Sequence, residues 1–137
     1  MDRPDEAKIE ALLDAAREAR EHAYAPYSQY LVGAAVLTDD GEIFAGANVE
    51  NAAYPLSVCA ERSAVQRAAS EGARRLVAVA IVGSSPDGPA WPCGGCRQVL
   101  NEFSQDLLVI SEGPGGLRDE RELAELLPDA FGPDDLR

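Results

Sequence analysis

The chain is short of lysine. Of its 12 basic residues only Lys8 is one, and against 24 acidic residues the formal net charge is −12. Proteins that grip phosphate backbones gather Lys and Arg to displace counterions, so this balance argues against DNA, RNA or an anionic membrane as the partner. It leaves a small neutral ligand open. No apolar run approaches the roughly 18 residues of a membrane span, and Met1-Asp2-Arg3-Pro4-Asp5-Glu6 lacks the basic-then-apolar order of a signal peptide. Cysteines number 3, an odd count that rules out a complete disulfide framework. The expectation is a cytoplasmic protein, in which thiols stay reduced and available as ligands. No phosphate-binding glycine loop, internal repeat, low-complexity tract or long linker is visible. What is present is an ordinary globular composition, 46% hydrophobic and 26% charged over 137 residues, which predicts one domain spanning 1–137.

Ile9, Leu12, Leu13, Ala16, Ala19 and Ala23 recur at helical spacing with charged residues between them, predicting an amphipathic helix over 5–23. Tyr30–Leu37 and Glu42–Asn48 read as strands, and Asp39-Asp40-Gly41 between them is a hairpin signal. The pattern turns helical from Val58 to Ser70, with Gly72 placed for a left-handed stop. Leu76–Val82 is continuously apolar and β-branched, as in a strand buried on both faces. A loop over Gly83–Pro92, a helix over Cys93–Ser104, a strand over Leu107–Ser111 and a last helix over Asp119–Leu127 complete the order α-β-β-α-β-α-β-α. Strand–helix–strand crossovers predict parallel strands beside the antiparallel hairpin. The pattern yields four strands, and the stretch near Gly115–Leu117 gives too weak a signal for a fifth.

The chemistry lies in two short segments, Cys59-Ala60-Glu61-Arg62 and Pro92-Cys93-Gly94-Gly95-Cys96-Arg97-Gln98, both opening predicted helices. Two cysteines three apart at a helix start can aim both sulfurs at one point, and the helix N-terminus favours the thiolate that binds metal. Cys59 would be a third ligand. A structural zinc site is closed by four protein ligands, whereas a catalytic site with three leaves a position for water. His22, near the end of the first helix, is the one spare candidate for a fourth, although a surface histidine is its ordinary reading. A carboxylate at Glu61 could take a proton from water and hand it to a departing group. Arg62 and Arg97 lie where their charge could offset three thiolates, with a surface salt bridge the plain alternative for Arg62. A redox CxxC pair would leave Cys59 over, and a structural zinc site would lack ligands.

These segments resemble those of the zinc deaminases of nucleobases. Ala25-Pro26-Tyr27-Ser28, Val32-Gly33-Ala34-Ala35, Asn48-Val49-Glu50-Asn51-Ala52-Ala53-Tyr54 and Leu127-Pro128-Asp129-Ala130-Phe131 narrow the likeness, and the chain resembles the small cytidine deaminases of nucleoside salvage over about residues 23–131. The resemblance implies a three-layer α/β/α fold around a mixed five-stranded sheet, with an N-terminal antiparallel hairpin and parallel C-terminal strands. It implies a homotetramer with shared active sites. It implies that Cys59, Cys93 and Cys96 bind one Zn2+ per chain and that Glu61 shuttles protons. Asn48 and Glu50 would bind a ribose hydroxyl, the Ala60 backbone N–H would hold the pyrimidine carbonyl, and Ala52, Tyr54 and Phe131 would reach a neighbour's pocket. Tyr30 stands where many relatives carry Phe; its ring can stack on the base, but its hydroxyl needs a partner if buried.

The implied reaction is hydrolytic deamination of cytidine or deoxycytidine at C4 to the uridine nucleoside and ammonia. Rivals are a deaminase of a related aminopyrimidine, a non-catalytic zinc-stabilised interaction domain, and a nucleic-acid editing enzyme. Asn48 and Glu50 argue against the first, the unliganded Glu61 against the second and the charge against the third.

Overall fold

A computed structural model of the chain describes residues 3–83 and 88–137. Helix α1 (Glu6–Arg20) begins where the Asp5 carboxylate accepts the Lys8 backbone N–H at 2.8 Å, capping one of the first-turn donors. It ends before the turn at 21–23 that the sequence pattern had extended into. The hairpin follows as β1 (Gly33–Thr38) and β2 (Ile43–Ala47), joined through Gly41 at φ +90°. Then come α2 (Ala60–Ser70), closed by Gly72 at φ +101°, β3 (Leu76–Val82), α3 (Gly94–Phe103) and β4 (Leu108–Glu112). The loop expected over 83–92 falls partly outside the described residues, at 84–87.

The C-terminal region departs from the pattern reading. Instead of a helix over Asp119–Leu127, the chain forms β5 (Arg118–Glu122) and a single helical turn α4 (Leu123–Leu126). The reason is visible in the residues. Arg-Asp-Glu-Arg-Glu holds no apolar side chain, so no hydrophobic period marks it. As an edge strand it hydrogen-bonds to β4 on one side and carries charges that blunt the other. Arg3 pairs with Glu120, and Arg118 meets Glu6 at 2.7 Å.

The sheet order is β2-β1-β3-β4-β5. β1 is antiparallel to both β2 and β3, β3 is parallel to β4, and β5 is antiparallel to β4. The sheet is thus mixed and five-stranded, but the expected parallel C-terminal strands are only β3 and β4. β5 reverses because a tight turn over Pro114–Gly116 replaces the crossover helix a parallel strand requires.

Alternation along the central strands builds three layers. Ala35, Leu37, Ala78, Ala80 and Ile110 pack against Ile9, Leu12, Leu13 and Ala16 of α1. Ala34, Val36, Val79, Ile81 and Val109 face Ala60, Ala64 and Leu100 of α2 and α3. Two glycines permit the close approach: a Cβ on Gly33 would sit 1.9 Å from the Ala16 carbonyl oxygen, and one on Gly46 2.6 Å from the Ala64 nitrogen. No helix among the described residues is long and apolar enough to cross a membrane.

Candidate metal and substrate site

Cys59 and Cys93 occupy the N-cap positions of α2 and α3, with extended backbones (φ −71°, ψ 154° and φ −64°, ψ 166°). An N-cap side chain ordinarily bonds to its helix's free N–H groups. Neither cysteine does so, which leaves both sulfurs turned to other use. Cys96, two residues into α3 and fully buried, brings the third. All three sulfurs lie within 4.8 Å of one another, Cys93 and Cys96 at 3.4 Å. Sulfurs held about 2.3 Å from a tetrahedral zinc stand about 3.8 Å apart, so this donor set fits that ion with little adjustment. The three thiols are free of disulfides.

The electrostatics point the same way. Hydrogen bonding from Cys96, then from Cys93, together with the Arg62 charge, outweighs burial and pulls the Cys59 thiol down to about 6. The Cys59 partner, burial and the Glu61 charge push Cys96 upward, so the cluster cannot fully ionise by itself. A divalent cation resolves that conflict by stabilising every thiolate at once. Glu61, only 5% exposed, is raised to about 7, chiefly by burial; a hydrogen bond from its own backbone N–H opposes this, and the Cys59 charge adds to it.

A cavity of about 300 Å³ opens in front of this cluster. Of the residues singled out in the sequence, Tyr30, Asn48, Glu50, Cys59, Ala60, Glu61 and Cys93 line it. Asn48 and Glu50 also hold its rim. The Asn48 side chain accepts from the Val32 N–H at 2.9 Å and donates to the Tyr30 carbonyl at 2.8 Å. Glu50 accepts the Tyr27 and Ser28 N–H groups at 3.0 and 3.1 Å, as well as the Ser28 hydroxyl. These bonds keep its carboxyl below the usual range. An amide and a carboxylate each retain spare hydrogen-bonding capacity after such contacts. Tyr30 sits with its ring beside Gly83, and burial, with the Glu61 charge, raises its phenol.

Other residues lie elsewhere. Ala52, Tyr54 and Phe131 do not line the cavity of their own chain; Tyr54 is 71% and Phe131 60% exposed. His22 is exposed beside Ala19 and Gly46 and is no part of the sulfur cluster. Arg97 also has a structural role beside the charge expected of it. It donates to the Pro92 carbonyl at 2.7 Å and the Leu126 carbonyl at 2.8 Å, tying the α3 entrance to α4. The sequence reading missed Trp91, which lines the cavity; its signal was available, since it is the chain's only tryptophan and stands two residues before Cys93.

Three clustered thiols, a buried carboxylate and an open cavity define a protein built to hold a metal with one side left accessible. Comparison then identifies the family. The model of the cytidine and deoxycytidylate deaminase zinc-binding region matches residues 6–112, and the chain belongs to that family. It is 45% identical to a cytidine deaminase of Sporosarcina psychrophila, over 93% of this chain and 94% of that one. The crystal structure of cytidine deaminase from Burkholderia pseudomallei matches with a TM-score of 0.85 at 48% identity, covering 89% and 98% of the two chains. The cytidine deaminase structure from Mycobacterium tuberculosis gives 0.78 at 44%, covering 90% and 97%.

Proposed function

We propose that this protein is a cytoplasmic zinc-dependent enzyme of pyrimidine salvage, one domain over 1–137, which hydrolyses free cytidine and deoxycytidine to uridine and deoxyuridine plus ammonia. The observation that carries the reading is the gathering of the Cys59, Cys93 and Cys96 sulfurs within 4.8 Å beside buried Glu61, at a cavity of nucleoside size. Bound there by the three thiolates, zinc would supply Lewis-acid activation of the attacking water. The remaining work belongs to the chain. Glu61 accepts the proton of that water and delivers protons to the ring N3 and the departing amine. Its burial excludes competing solvent. The Ala60 N–H, in the first turn of α2 where donors lack intrahelical partners, holds the pyrimidine carbonyl. Tyr30 stacks on the base, and Asn48 and Glu50 direct spare hydrogen-bonding groups to the ribose. Arg62, whose charge acts on Cys59, offsets the negative charge of the thiolates.

Free nucleosides are favoured over nucleotides because, among the described residues, the cavity is lined by two carboxylates, Glu50 and Glu61, and by no lysine or arginine. A phosphate would meet those carboxylates with no basic side chain of the lining to pair with it. The chain assembles as a homotetramer in which Ala52, Tyr54 and Phe131 complete a neighbour's pocket. An ammonia-release assay of the zinc-loaded protein across free bases, nucleosides and nucleotides tests the reading. Turnover of cytidine and deoxycytidine above their monophosphates is expected. Preference for a nucleotide, or no release from any nucleoside, would overturn it.

A further inference from the structure

We propose that the indole of Trp91 is a substrate-contacting wall of the cavity, held in place by Arg121; this rests on the nucleoside reading of the same cavity. Trp91 is half-buried, packs against the core beneath α2 and α3, and lines the cavity together with Tyr30 and Glu61. Its neighbours are pinned on both sides. The Ser111 hydroxyl donates to the Ala90 carbonyl at 2.5 Å, and Arg97 donates to the Pro92 carbonyl at 2.7 Å. The ring itself is covered by the Arg121 guanidinium, 5.2 Å from its centroid, and Arg121 is oriented by Asp119 at 2.7 Å. A cation over an indole face at this distance is attracted by the ring quadrupole. Backbone anchors from β4 and α3 and a cation from β5 therefore converge on one aromatic side chain at the cavity.

That convergence is what a preformed aromatic contact requires. A ring fixed before the ligand arrives loses no rotamer freedom on binding, so its contact appears in full as affinity. With Tyr30, it gives an aromatic ligand two rings in a cavity of about 300 Å³. Such contact is made to substrate and transition state alike, so it acts on KM more than on kcat. Arg121 is a positioning residue: it touches the indole and does not line the cavity.

The chain holds a single tryptophan, so its emission reports this site directly. Titration of zinc-loaded wild type with uridine, the expected product, should change the emission saturably. Trp91→Ala should keep zinc and raise the KM for cytidine about tenfold, the order of a base–aromatic contact, with a smaller change in kcat. Trp91→Phe should fall between it and wild type. Arg121→Met should raise KM and shift the emission of the free protein, and Arg121→Lys should restore much of both. A KM in Trp91→Ala within about twofold of wild type overturns the contact. If that variant loses zinc or fails to fold, unchanged wild-type emission at uridine concentrations that block turnover overturns it instead. Arg121→Met indistinguishable from wild type removes Arg121 from the account. Wild type that releases no ammonia from any nucleoside refutes the deaminase reading separately. In that case, a saturable emission change with uridine still upholds the Trp91 contact, and its absence ends both.

Discussion

The Cys93 and Cys96 sulfurs lie 3.4 Å apart because one residue caps α3 and the other sits in its first turn. With Cys59 at the matching position of α2, the two helix starts present three sulfurs to one point. One zinc per chain is therefore expected by metal analysis. Cys93→Ala or Cys96→Ser should bind substoichiometrically, and dialysis of wild type against a chelator should lower its thermal midpoint, since metal bound only to the folded state stabilises it. Full zinc occupancy in Cys96→Ser would refute the ligand set.

Glu61→Gln tests the proton carrier. The amide has nearly the same shape and can fill the buried site, but it cannot accept a proton from water. Zinc content and thermal midpoint should stay near wild type while turnover of cytidine falls by about 10²–10⁴-fold or more. A variant with more than about a tenth of wild-type turnover would remove Glu61 from the proton-transfer role.

Much of the site was legible because its chemistry is local. The CxxC at a helix start and Cys-Ala-Glu at another are short patterns, and α3 formed at the expected place with Cys93 as its cap. What could not be read depends on partners distant in sequence. β5 carries no apolar residue, and only pairing with β4 makes it a strand. Arg97 was read by its charge alone, and nothing local marks the Leu126 carbonyl on α4 as its hydrogen-bond partner. Asn48 and Glu50 could be read as ribose contacts or as solvated residues at a strand end, whereas the fold also uses them to hold the Tyr27–Val32 segment. Trp91 carried a compositional signal, but nothing local says that Arg121 lies over it.

Arg17 on α1 and Glu112 at the end of β4 form a two-bond ion pair, 2.8 Å through Nε and 2.6 Å through the terminal nitrogen. Glu112 is 8% exposed, and the hydrogen bonds from Arg17, with added attraction from Arg17 and Arg118, hold its carboxyl below the ordinary range. A carboxyl depressed in the folded state stabilises the fold above its unfolded pKa of about 4.3 and loses that contribution as pH falls through the lower folded value. Wild type should lose thermal stability more steeply than Glu112→Gln below about pH 4.3. At neutral pH Arg17→Met should cost about 1–2 kcal/mol, less than a fully buried pair because the Arg17 side chain is 37% exposed. Thermal unfolding of zinc-saturated protein across pH checks both; parallel pH profiles would refute the linkage.

Phe131 presents a tail whose backbone is fixed and whose ring is not covered. Its carbonyl accepts from Gln98 at 2.8 Å and Asn101 at 3.4 Å, while the residue is 60% exposed. Tyr54, 71% exposed, stacks edge-on to Tyr27 at 6.0 Å in the same unshielded manner. A held backbone with an exposed aromatic ring is the form of a contact waiting for another surface. Under the proposed homotetramer, that surface is the cavity of a neighbouring chain. Truncation from Ala130 onward should then raise the KM for cytidine more than it lowers the thermal midpoint. A stronger test mixes two damaged chains. Glu61→Gln lacks the proton carrier but has Phe131; Phe131→Ala has Glu61 but cannot complete its neighbour. Unfolded together and reassembled in equal amounts, about a quarter of the pockets should combine an intact Glu61 with an intact Phe131 from the adjoining chain, if subunits mix at random. Activity above the sum of the two separately reassembled variants is the expected outcome. Light scattering that shows a fully active monomer, or reassembled mixtures with no gain, would refute the shared pocket.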